Sequence, residues 1–158
     1  GGVLGWDWLA NISWFGTPSM ATVTIIVVSI WQNIGFLMII YTAGLQTIPK
    51  DVMESAELDG CSGLKKVLKI ELPLLMPTVT INLFVSISGA FKSFDIPNAM
   101  TGGGPYGSTM PVAMNIYQEA FTKYNLGYGS AKSVILFLTV AAVTLIQLYC
   151  TRKKEVEY

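Results

Sequence analysis

The sequence predicts an all-α, polytopic membrane protein with three transmembrane helices. Three observations carry this. Hydrophobic residues make up 52% of 158 positions and charged residues only 13%, whereas a soluble domain carries about 25% charged residues. Three windows long enough to cross a hydrocarbon core of about 30 Å contain no charge at all. Basic residues cluster in the segments between them in a way that assigns those segments to opposite sides.

The first window runs from Met20 to Leu45, "MATVTIIVVSIWQNIGFLMIIYTAGL". The second is Leu72 to Phe91, "LPLLMPTVTINLFVSISGAF", and the third Ser133 to Thr151, "SVILFLTVAAVTLIQLYCT". One such window could be a buried helix of a soluble protein. Three in so short a chain exceed what a soluble core can hide, so they predict spans over about 20–45, 72–91 and 133–151. All of residues 1–158 then belong to one transmembrane domain. The chain begins Gly-Gly without the basic n-region of a signal peptide, which suggests a piece of a longer protein.

Lys50, Lys65, Lys66 and Lys69 lie between the first two spans, and Arg152, Lys153 and Lys154 follow the third. The segment before Pro18 has no basic residue, and Lys92, Lys123 and Lys132 are spread over a longer loop. Excess Lys and Arg marks the cytoplasmic side. The consistent arrangement has the N-terminus outside, loop 46–71 in the cytoplasm, loop 92–132 outside and the C-terminus inside.

The cytoplasmic loop opens abruptly. No Asp, Glu, Lys or Arg occurs from Trp8 to Pro49, and then "DVMESAELDG" places four acids in ten residues. The pattern predicts two short helices. Pro49 suits a helix start, and Asp51 and Glu54 suit the positive end of its dipole. Val52, Ala56 and Gly60 share one face at i, i+4 spacing. Gly60 can end the helix in a left-handed cap, and Ser62 can cap a second helix that carries Lys65, Lys66 and Lys69 on one side. Pro73 lies where the second span begins. These residue types admit a solvated connector, and they admit a rigid helix that docks into a groove on another protein.

The register adds more. "ESAELDG", then nine residues, then "IELP" resembles the EAA loop of the permeases of binding-protein-dependent ABC importers. Glu54, Ala56, Gly60, Ile70, Leu72 and Pro73 match that pattern in spacing; Ser55 stands where the pattern has its middle alanine. "SIWQNIGFLMIIYTAGLQTIPKD", "GAFKSFDIPNAMTGGGP" and "GYGSAKSVILFL" resemble the sugar-type members, the group of the maltose and glycerol-phosphate importers. The similarity covers nearly the whole chain and corresponds to the C-terminal half of such a subunit.

The resemblance implies an importer permease subunit for a sugar or related carbohydrate, in a bacterial inner membrane. Its implied partners are a second homologous permease subunit, cytoplasmic ATPase subunits and an extracytoplasmic solute-binding protein, besides the lipid bilayer. Glu54, Ser55, Ala56, Asp59, Gly60, Ile70, Leu72 and Pro73 are then the candidate ATPase-coupling residues. ATP and Mg would sit on the partner ATPase, so this chain is expected to hold no cofactor and to be no enzyme. A scaffold subunit without a pathway of its own, and a permease for a non-sugar solute, are the alternatives.

Polar groups inside spans are costly and often functional. Gln32 and Asn33 stand beside Trp31; Asn82, Ser86 and Ser88 lie in the second span, whose outer end reads "FKSFD". Trp31, Asn33, Phe91, Lys92 and Asp95 supply the aromatic faces, amide and charges that bind sugars, and are the candidate pathway residues. Asn and Gln also bond neighbouring helices, and Lys92 could simply pair with Asp95.

Other classes are excluded or unsupported. The chain has no His and zero formal net charge, which removes His-based catalysis and gives no footprint for nucleic acid. Cys61 and Cys150 form no metal or redox motif and are expected to be free thiols; no metal ligand set is present. "TGGGPYGST" lacks the lysine of a phosphate loop, since no Lys lies between Lys92 and Lys123. It is expected to be an external turn-rich loop. Residues 108–122 beyond it predict a short helix on the outer surface, which the resemblance places toward the solute-binding protein.

Overall fold

The computed structural model describes residues 12–153, and every regular element among them is helical. The helices are α1 (Pro18–Gln46), α2 (Lys50–Leu58), α3 (Leu64–Leu74), α4 (Met76–Phe91), α5 (Asp95–Thr101), α6 (Val112–Tyr117, continued by a π-helical turn Gln118–Thr122) and α7 (Leu126–Arg152). Lys154 of the basic cluster lies outside the described residues.

Two helices are long and apolar enough to cross a membrane, α1 and α7, and the bent pair α3–α4 makes a third candidate span. The 29 residues of α1 extend about 44 Å at 1.5 Å per residue, more than a hydrocarbon core needs. Thr22 and Thr42 fold their hydroxyls back onto the Pro18 and Met38 carbonyls at 2.9 and 2.8 Å. Each hydroxyl is thereby satisfied inside its own helix, as lipid requires.

The second span departs from expectation. Its helix starts at Met76 rather than Leu72, and the chain bends by 70° between α3 and α4. Pro77 explains the break, since it has no N–H for the Pro73 carbonyl and its ring collides with that carbonyl. Pro73 leaves the Lys69 carbonyl without its usual donor in the same way. There the helix widens into a π turn over Val67–Glu71, closed by the Leu72 N–H on the Val67 carbonyl. Pro73 therefore sits in the last turn of α3, before the bend.

The third span starts at Leu126, seven residues earlier than its apolar window. Its first two turns carry Gly127, Gly129 and Lys132 and are too polar for a hydropathy window to include. The loop between α4 and α7 holds a helix that its composition did not predict, α5, closed by Gly102 in the left-handed region (φ 59°). The helix predicted over 108–122 starts at Val112, because Pro111 before it is extended (φ −70°, ψ 162°).

The chain forms two compact units. Among the described residues, one holds 12–32 with Lys92–Ser133; the other holds Asn33–Phe91 with 134–153. In the second unit α1 and α4 meet at Gly44, where an added Cβ would lie 2.2 Å from Thr78 Oγ1 and 2.9 Å from its Cβ. Small residues that let helix backbones approach are the common device of membrane packing. Buried Asn82 of α4 donates from Nδ2 to the Leu37 carbonyl at 3.4 Å, and Gln147 of α7 donates to the Thr80 carbonyl at 3.4 Å. Two amides thus tie three helices through backbone carbonyls.

Candidate functional site

The loop between α1 and α4 is built around one tight turn. Pro49 precedes α2 in an extended conformation (φ −60°, ψ 134°), and Asp51 occupies the first turn. At the other end the Gly60 N–H bonds the Glu57 carbonyl at 3.0 Å and the Cys61 N–H bonds the Ala56 carbonyl at 2.9 Å. With Gly60 at φ +75°, this is a complete Schellman cap. The apolar pair that accompanies such a cap is formed by Ala56 and Cys61, both buried.

Ala56 is 7% exposed, and Ile48 ahead of α2 is equally buried. The exposed surface of α2 includes two i, i+4 rows, Glu54 with Leu58 and Ser55 with Asp59. Ser55 keeps its hydroxyl on the Asp51 carbonyl at 2.8 Å. Leu58, 89% exposed, is the residue that sequence reasoning missed. Its signal was present: it stands four positions after Glu54, between Glu57 and Asp59 in the acidic stretch.

The second helix is capped by Gly63 (φ 58°, ψ −137°), not by Ser62. Such dihedrals are almost restricted to glycine, and no side-chain cap is made. Lys66 of α3 reaches back to Glu57 of α2, Nζ to Oε1 at 2.6 Å. The hydrogen bond and charge of Lys66 hold the Glu57 carboxyl below its ordinary 4.5, and Glu57 raises the Lys66 ammonium above its ordinary 10.5. Their joint contribution to stability is fully present between those ordinary values. It fades as pH falls through the lowered Glu57 value or rises through the raised Lys66 value. Glu57→Gln is expected to leave the helices intact, abolish the acid-side loss and speed amide exchange in α2 modestly. Hydrogen-exchange mass spectrometry across pH 3–7 checks this; unchanged exchange would remove the pair from the account.

The remaining coupling candidates follow along α3. Ile70 is half-buried within the π turn, Leu72 is exposed and Pro73 is half-buried. All eight candidates fall in the same unit.

The pathway candidates are scattered between the two units. Trp31, 77% exposed, and exposed Lys92 and Asp95 belong to the first; exposed Asn33 and half-buried Phe91 belong to the second. Asp95 opens α5 as its first-turn acid. Lys92 does not pair with Asp95; the ion pairs among the described residues join Lys66 to Glu57, and Lys123 and Lys132 to Glu119.

The glycine-rich loop is more ordered than its composition suggested. Thr101 and Thr109 hydroxyls lie 2.7 Å apart, the Thr109 hydroxyl donates to the Gly104 carbonyl at 2.6 Å, and the Gly103 N–H donates to Thr101 Oγ1 at 3.3 Å. The polar atoms of the loop are spent on one another. Buried Glu119 anchors the following helix, taking Lys123 at 2.9 Å and Lys132 at 3.6 Å, while Lys132 also donates to Asn115 Oδ1 at 2.7 Å. The hydrogen bond from Lys123 outweighs burial and lowers the Glu119 carboxyl from its ordinary value.

Comparison with known proteins locates this arrangement. Residues 3–156 match the family described as binding-protein-dependent transport system inner membrane component. The sulfoquinovosyl glycerol transport system permease protein SmoG of Agrobacterium fabrum is 40% identical over 145 residues, 92% of this chain and 47% of that protein. The trehalose/maltose transport system permease protein MalF of Thermococcus litoralis is 37% identical over 143 residues, 89% of this chain and 47% of that protein. The sn-glycerol-3-phosphate transport system permease protein UgpA of Brucella suis is 36% identical over 152 residues, 96% and 50% respectively. The chain spans about half the length of these relatives.

Proposed function

Starting from the fact that this chain belongs to the binding-protein-dependent transport system inner membrane components, multi-pass proteins of the inner membrane, we propose that it forms part of a permease subunit that imports a carbohydrate or a close derivative. The names of its relatives support the solute class: a sulfoquinovosyl glycerol, a trehalose/maltose and a glycerol-phosphate system. The subunit works with a second permease, with ATPase subunits that hold ATP and Mg, and with a solute-binding protein. The termini follow the charge rule, with the N-terminal end outside, loop 46–71 in the cytoplasm and the glycine-rich part of loop 92–132 toward the binding protein. Trp31, Asn33, Phe91, Lys92 and Asp95 serve the pathway.

One observation carries the coupling role. The α2 helix exposes Glu54, Ser55, Leu58 and Asp59 on a stiff, capped segment joined to α3 by the Glu57–Lys66 pair. An exposed leucine ringed by acids is an economical docking surface. Such a helix moves as one piece when an ATPase pulls on it.

Reconstitution of the complete complex with its binding protein tests this. ATP hydrolysis is expected to rise with the loaded binding protein, and solute to enter the vesicles. Glu54→Lys and Leu58→Asp are each expected to lower uptake by roughly tenfold or more, equivalent to about 1.4 kcal/mol of docking energy, while the subunit inserts normally. Uptake at the wild-type rate in both variants would sink the coupling role. A complex that hydrolyses ATP but never moves solute would mark the chain as a scaffold.

A further inference from the structure

The N-terminal end of α7 is where a membrane-spanning helix must meet the bilayer surface, and the chain gathers aromatic side chains there. Tyr117 and Phe121 of α6 lie with ring centroids 5.1 Å apart, and Phe94 packs edge-on against Tyr117 at 5.2 Å. Phe121 is 61% exposed and Tyr124 is 85% exposed. Beneath them Met114, Glu119 and Ala120 are buried, so α6 has a pinned inner face and an aromatic outer one. Tyr124 has φ +56°, a conformation that a bulky side chain rarely adopts. The turn there is one that glycine would fill without strain, yet it presents a tyrosine to the outside.

Charge accompanies the rings. Lys132 Nζ lies 4.4 Å above the exposed Tyr128 ring. Lys123 remains largely exposed although it pairs with Glu119. Two lysines on one carboxylate leave this end of the helix with a net positive charge.

We propose that Tyr117, Phe121, Tyr124 and Tyr128 form a membrane-interface anchor seated among phospholipid headgroups, with Lys123 as the contact for a lipid phosphate. Tyrosine suits that depth, because its ring prefers the acyl boundary while its hydroxyl stays in water. Continuity fixes the occupant. Tyr128 stands in the first turn of α7 and Tyr124 two residues before that turn, at the N-terminal end of a helix long and apolar enough to cross a membrane. A solute-binding protein that comes and goes would leave these rings in water between encounters, whereas the bilayer surface covers them throughout. The anchor is independent of which solute is carried and of the coupling role.

Photocrosslinking tests it in the complete complex, reconstituted into vesicles containing phosphatidylglycerol. With p-benzoylphenylalanine in place of Phe121 or Tyr124, the expected main adduct at both positions is phospholipid, identified by mass. Adducts to the binding protein, to another permease segment, or none to lipid at either position, overturn the anchor. Native mass spectrometry tests the phosphate contact separately. Lys123→Gln is expected to lower retained phosphatidylglycerol about fivefold; undiminished retention overturns that part.

Discussion

Replacing Gly44 with leucine is expected to separate α1 from α4 and to cost the subunit most of its folded yield. A Cβ at this position would lie 2.2, 2.8 and 2.9 Å from the Oγ1, Cγ2 and Cβ of Thr78. A rotamer change moves the first two atoms but not the third, so one helix must shift. Overpacking of this kind costs about 1–3 kcal/mol, and even alanine meets the Cβ clash; the leucine branch adds to it. Thermal unfolding in detergent is expected to drop clearly for Gly44→Ala and further for Gly44→Leu. Thr78→Gly in the Gly44→Ala background removes every clashing atom and should recover much of the loss, a coupling that a double-mutant cycle reads directly. Independent, additive effects of the two substitutions would show that the helices do not meet there.

The second large effect is expected at Gly60. Its φ of +75° is left-handed, yet nothing lies within 4 Å of an added Cβ. The demand for glycine is therefore one of backbone conformation and not of space. An L residue held there costs about 1–2 kcal/mol, more when β-branched and least for Asn. Gly60→Val should open the cap, release the Ala56–Cys61 pair and detach α2 from α3. In the reconstituted importer, uptake is expected to fall by about tenfold or more with insertion unchanged, Gly60→Asn retaining most activity. Gly60→Trp should resemble Gly60→Ala far more closely than its bulk suggests. A steep loss with side-chain size instead would mean that a partner surface crowds this turn.

Much of this was legible in the sequence, for physical reasons. Uncharged windows reveal α1 and α7 because lipid tolerates little else, and Gly60 reveals the cap because few residues can replace it. Orientation was harder. Ala56 is as small on an inward face as on an outward one, and only its burial shows which way it turns. The bend at Leu75 depends on two prolines acting four residues apart, which a window of apolar residues averages away. The bond from Gln147 to the Thr80 carbonyl ties residues 67 positions apart, a pairing that no local pattern encodes. The network at Glu119 likewise joins α6, the residue just after its π turn and α7, through lysines that are spread out along the chain. Trp31, Lys92 and Asp95 fall in one unit and Asn33 and Phe91 in the other.

The π turn of α3 has a consequence for how the loop and the span are phased. A regular helix advances about 100° per residue, and a π turn accommodates one residue more than an α turn. The turn at Val67–Glu71 holds one residue more than an α turn and absorbs it locally, so the helix faces before and after it keep their phase. A residue inserted into an ordinary α turn would instead rotate everything beyond it by about 100° around the axis. The π turn thus lets this segment carry an extra residue, with Ile70 inside it, without turning the following helix. A relative one residue shorter there, and without a proline at the position of Pro73, is expected to close an ordinary α turn and to keep the polar residues of its next span in the same register.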